Sequence, residues 1–121
     1  VRTRPLYTPN YWFLRWGCRA GLSDQSGAIN SGNSAYGALG LAYQWKPDKI
    51  LLLGVDGSSD PRVSGDGPPD RSLSHLPQLF NTAVEQLEKE NIQVINGSKK
   101  SAITCFAKNS PGEGLEWIRQ K

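Results

Sequence analysis

The 121-residue chain contains no methionine, a single histidine and two cysteines. It also has no apolar run of bilayer length. Each shortage excludes something. A membrane-spanning helix needs about 18 or more consecutive apolar residues, and no basic-then-apolar leader opens the chain, so no membrane role is expected. Cys18 and Cys105 are too few and too far apart in sequence for a disulfide scaffold, which points to a reducing cytoplasmic setting with both thiols structural. One His and two Cys without a Cys-x-x-Cys pair cannot build a standard zinc site. The lack of any Met leads to the expectation of a processed form, or of the carboxyl-terminal part of a longer protein.

What is present is globular. Hydrophobic residues make up 37% of the chain, with four Trp and four Tyr, which argues against disorder. The length suits a single domain with a real core, read here as one α/β domain over residues 1–121, with an extended lead-in over 1–10 and a flexible loop over 57–74. Net charge is +3 but uneven. Arg2, Arg4, Arg15 and Arg19 make the first twenty residues basic, and the remainder is slightly acidic. These arginines are scattered without a stacking pattern of aromatics, so a solvated terminal segment is the plainer reading and nucleic acid is not an expected partner.

The chain is organised around Asn30 to Asp56. Asn30-Ser31-Gly32-Asn33 supplies short capping and turn residues. Ala35 to Trp45 is apolar almost all round, as in a helix packed on more than one side, and Pro47 stops it. Ile50 to Val55 is a continuous apolar run, the pattern of a parallel strand covered on both faces. It is expected at the sheet centre. Before this stretch, Tyr11 to Trp16 reads as an aromatic strand ended by Gly17, and Arg19 to Ser31 as a loop. After it, Pro77 to Asn91 reads as an amphipathic helix with Leu79, Phe80, Ala83, Val84 and Leu87 on one face. Ile92 to Ile95 is a short strand turned by Asn96-Gly97, and Ser101 to Phe106 an apolar piece of open type. Glu113 to Gln120 is a closing helix. This alternation predicts a Rossmann-like three-layer α/β domain with a mainly parallel sheet.

Ligands of such sheets bind outside the carboxyl ends of the strands. That edge is expected to gather Asn30, Ser31, Gly32 and Asn33, then Gly54 and Asp56, and Asn96 to Ser98. The helix start offers N–H groups and a dipole to a phosphate, although neither the P-loop nor the GxGxxG spacing is present. An ordinary capped helix is the competing reading. Asp56 suits a ribose hydroxyl or a metal, against a plain turn residue. Asp56-x-Ser58-x-Asp60 imitates a calcium loop, but Pro61 stands where the turning Gly belongs and the twelfth position has no Glu. His75 is the one side chain whose ordinary pKa lies near neutrality, which makes it a candidate general base against a solvated loop histidine. No nucleophile motif is present; no metal is strongly implied, and the cofactor is left open.

NSGNSAYGALGLAYQWKPDKILLLGVDG, followed by SHLPQLF and ENIQVINGSKKSAITCFA, resembles phage and prophage proteins of unknown function. The same layout is similar to the bacterial sialyltransferases of glycosyltransferase family 42 and to the MptE-like pterin pyrophosphokinase group. The likeness covers roughly residues 29 to 107. It implies that Ser31 and Gly32 contact a nucleotide phosphate, that Gly54 and Asp56 line the nucleotide pocket, and that His75 serves as base. Gly57, Ser58 and Ser59 stand where the family carries tyrosines. The reading that follows is a nucleotide or nucleotide-sugar binding domain, with glycosyl transfer expected only of the intact protein. Its rivals are a pterin or nucleotide pyrophosphokinase and a non-catalytic phage partner-binding module.

Overall fold

A computed structural model describes residues 7–8, 11–12, 15–17, 20–30, 33–57 and 75–120. Two compact units, residues 1–47 and 48–121, make up the chain.

In the first unit, β1 (Tyr7–Thr8) pairs antiparallel with β2 (Tyr11–Trp12), and β3 (Arg15–Gly17) pairs parallel with β4 (Ala28–Asn30). The expected aromatic strand over 11–16 is therefore two short ones. The expected loop over 19–31 contains β4, whose Ala-Ile-Asn sequence is too short to carry a period-2 signal. Helix α1 (Ser34–Gln44) lies where its apolar run predicts and packs on β4, burying Tyr36, Leu39 and Tyr43. It ends with Lys46 at φ 50, whose N–H bonds the Tyr43 carbonyl, immediately before Pro47. A residue in the left-handed region closing the last turn is a common helix stop.

The second unit is an α/β layer built on three parallel strands in the order β5 (Lys49–Leu52), β6 (Gln93–Asn96), β7 (Ala107–Lys108). Among the described residues β6, not β5, has a strand on both sides. This corrects the expectation for Ile50 to Val55. The strand ends at Leu52, Leu53 is half exposed, and Gly54 turns the chain away at φ 71. The apolar run does record cover on both faces. Ile50 and Leu52 are buried on one face, while on the other Leu51 meets α4 (Pro111–Arg119) at Gly114, where a Cβ would stand 2.6 Å from a Leu51 methyl. Two-sided burial marks a covered strand but not its place in the order.

The long amphipathic helix predicted over 77–91 is divided into α2 (Leu76–Asn81) and α3 (Val84–Lys89). At the break the Thr82 hydroxyl donates to the Leu79 carbonyl at 2.6 Å, and the N–H groups of Thr82 and Ala83 bond three residues back instead of four. Such back-bonding by a Thr side chain bends helices. The apolar stripe runs through the break all the same, with Leu76, Phe80, Ala83 and Leu87 all buried. Asn91, at φ 56, ends α3, and the Ile92 N–H bonds the Leu87 carbonyl with both side chains buried. No described helix is long and apolar enough to cross a membrane.

Candidate functional site

The carboxyl ends of β5, β6 and β7 carry a connected set of polar side chains. Asn96, the last residue of β6, is fully buried with both ends of its amide used. Its Nδ2 donates to the Ile103 carbonyl at 3.2 Å, and its Oδ1 accepts the Ser98 N–H at 3.2 Å. A buried amide left unpaired is costly, so both bonds hold the connection after β6 to the strand end. Gly97 is needed between them because a Cβ there would lie 2.9 Å from a Leu53 methyl and 3.0 Å from the Leu52 carbonyl oxygen.

Two serines tie this connection to the loop after β5. The Ser98 hydroxyl donates to Asp56 Oδ1 at 2.7 Å. The buried Ser101 hydroxyl donates to the Val55 carbonyl at 2.7 Å and leans on that of Asp56 at 3.2 Å, while accepting the Ile103 N–H. The Asp56 carbonyl also accepts the Ala102 N–H at 2.7 Å. The backbone under Asp56 is thus fixed and its carboxylate stays exposed. One oxygen of that carboxylate is engaged by a hydroxyl. The other has no partner among the described residues.

His75 immediately precedes α2 and is exposed, with no capping bond from its side chain. Its neighbour Leu76 is buried beside the same loop: a side-chain carbon on Gly57 would sit 3.7 Å from Leu76 Cβ and 3.1 Å from Ile103. The fold therefore brings the backbone at His75 to the strand-carboxyl side, beside the loop that carries Asp56. Gly54 is exposed in that loop.

Sequence comparison with family models, with curated proteins and with solved structures finds no match to this chain. The chemistry of the site rests on its own residues.

At the start of α1, Asn33 is the N-cap, and its side-chain oxygen accepts the N–H of Ala35 at 2.8 Å and of Tyr36 at 3.4 Å. An anion there competes with this side chain for the same donors. Asn30 Nδ2 donates to the Gly21 carbonyl at 3.0 Å, pinning the loop before β4. Ser31, Gly32 and residues 58–74 lie outside the described residues, as do Cys18, Arg2, Arg4 and Arg19. Cys105 is half-buried, and burial pushes its thiol pKa up, away from the reactive thiolate. Among the described residues no three His, Cys, Asp or Glu side chains converge on a point that could hold a metal.

Of the residues that the fold places along this edge, Gly54, Asp56 and His75 were expected from the sequence, whereas Ser101 and Lys108 were not. Lys108, at the end of β7 and level with Asn96, donates to the Ser101 carbonyl at 2.6 Å. Ser-Lys-Lys-Ser is a common surface sequence. The signal that was available is its position directly after Asn-Gly at the end of an apolar strand.

Proposed function

We propose that the second unit is the ligand-binding part of a Rossmann-like domain and that it binds a nucleotide or nucleotide-sugar across the carboxyl ends of its strands. The observation that carries this reading is the Asp56 carboxylate, fixed by its backbone, exposed, and already accepting one hydroxyl hydrogen bond at 2.7 Å from Ser98. A ribose offers the same kind of donor, and an acidic side chain at a strand end is a usual partner for it. His75, beside the same loop, is the group that would take a proton from an acceptor hydroxyl during glycosyl transfer. The resemblance to the family 42 sialyltransferases points to the same two residues.

The test is a thermal-shift screen of the protein against nucleotides and nucleotide-sugars. A ligand at about 100 times its Kd adds about 2.7 kcal/mol of stability. Asp56→Ala should remove most of that gain, whereas His75→Asn should leave nucleotide affinity unchanged, because a general base acts in the transition state and not on ground-state binding. If no nucleotide raises the melting temperature, the reading falls and the partner-binding module takes its place.

A further inference from the structure

Residues Ser98 to Ser101 form a tight turn closed by the Ser101 N–H on the Ser98 carbonyl at 3.2 Å. Lys99 and Lys100 occupy its middle, both exposed, and among the described residues neither of their backbone N–H groups has a protein acceptor. Lys108 lies against the same turn, its ammonium part-buried on the Ser101 carbonyl at 2.6 Å. No described carboxylate lies within ion-pairing distance of Lys108 or Lys100. A lysine held against a turn with no opposite charge beside it leaves its ammonium open to an anion. Lys99 does reach Glu113, at 3.6 Å, but both side chains are largely exposed. Such a pair contributes little and is readily exchanged for a stronger anion. The Glu113 carboxylate is in any case held by the Ser110 N–H at 3.0 Å.

The turn is rigid on its underside. Ser98 and Ser101 hold it to Asp56 and Val55, and Gly97 brings it against the end of β5. Donors fixed before binding lose little freedom when a ligand arrives. Ammonium groups and successive backbone N–H groups without protein acceptors are the kinds of donor that a phosphate, with its several acceptor oxygens, takes up.

We propose that the Ser98–Ser101 turn, with Lys108, is a phosphate subsite that takes the phosphate or diphosphate of the nucleotide whose sugar meets Asp56. This rests on the nucleotide reading above. The Asp56–Ser98 bond sets the sugar acceptor and the turn side by side, as a ribose and its attached phosphate require.

The test follows backbone amide shifts of the full chain as inorganic pyrophosphate, the common nucleosides and their diphosphates are added separately. Pyrophosphate should move the Lys99 and Lys100 amides saturably. Lys100→Ala, at an exposed position that does not threaten folding, should weaken it roughly tenfold, the equivalent of one charge-assisted hydrogen bond. Lys108→Met should do the same with shifts elsewhere unchanged. Shifts that never saturate, or that persist in both variants, mean an adventitious ion only and overturn the proposal. A nucleoside diphosphate that binds without moving these amides overturns the subsite but not the nucleotide reading. Pyrophosphate saturating the turn, with no gain from any nucleoside, keeps the subsite and overturns the nucleotide reading.

Discussion

Asn96 illustrates how a single residue can be visible in a sequence while its work is not. Asn-Gly after an apolar run announces a turn, and the turn is there. Nothing local shows that the asparagine is buried beneath it, bonded to Ile103 and Ser98. Asp56 stands out as an acid at a strand end, but its partners Ser98, Ser101 and Ala102 lie more than forty positions away. Lys49 is similar: its ammonium closes the far end of α4 on the carbonyls of Trp117 and Gln120, at 2.9 and 2.8 Å. Polar roles set by such distant partners leave no periodicity to read. Asn96→Leu, which keeps the branching and the number of side-chain heavy atoms, would leave the Ile103 carbonyl and the Ser98 N–H without partners. Each unsatisfied buried group costs about 1 to 3 kcal/mol. Chemical denaturation should register a loss of about 2 to 6 kcal/mol for the two groups together, and a loss under about 0.5 kcal/mol, the usual surface value, would mean that water replaces both bonds.

Elements were legible in proportion to their length and to how local their determinants are. Helix α1 was readable because its apolar run and Pro47 act within a few residues, whereas α4 begins at Pro111, two residues before the expected Glu113, because Ser110 caps it and Pro111 is compatible with a first turn. There the Ser110 hydroxyl accepts the Glu113 N–H at 3.2 Å, and the Glu113 carboxylate accepts the Ser110 N–H. In the first unit the strand character of β2 and β3 was read, as one strand, but β1 and β4 were not, since pairing with residues elsewhere in the chain defines such short strands. The break between α2 and α3 turns on one Thr82 hydroxyl, which the stripe of apolar residues conceals. Ser110→Ala should cost about 1 kcal/mol, the typical worth of an N-cap, read as a fall in the denaturation midpoint without a change in slope. An unchanged midpoint would show that α4 is held by its packing on Leu51 alone.

At the scale of the whole molecule, the α/β class follows from the alternation of helix and strand, whereas the division at Pro47 carries no compositional mark. One global property can still be argued from single groups: the pH window of stability. The bond from the Ser110 N–H, then the Ser110 side chain and the Lys99 charge nearby, hold the Glu113 carboxyl below its ordinary value. A folded pKa that is lowered gives stability that is present above the unfolded value, about 4.3, and is lost as pH falls through the folded value. Burial, followed by the Asp24 carboxylate that accepts its hydroxyl at 2.6 Å, pushes the Tyr43 phenol above its ordinary value. A raised pKa has the opposite sign: its stability is present below the unfolded value, about 10, and is lost as pH rises through the folded one. The melting temperature should therefore hold between these limits and fall on both sides. Glu113→Gln should lessen the acid decline and Tyr43→Phe the alkaline one, because each removes one titrating group and leaves the other bonded. If Tyr43→Phe melts with the same alkaline decline as the parent protein, deprotonation of this phenol is not what limits the fold, and another group must carry that limb.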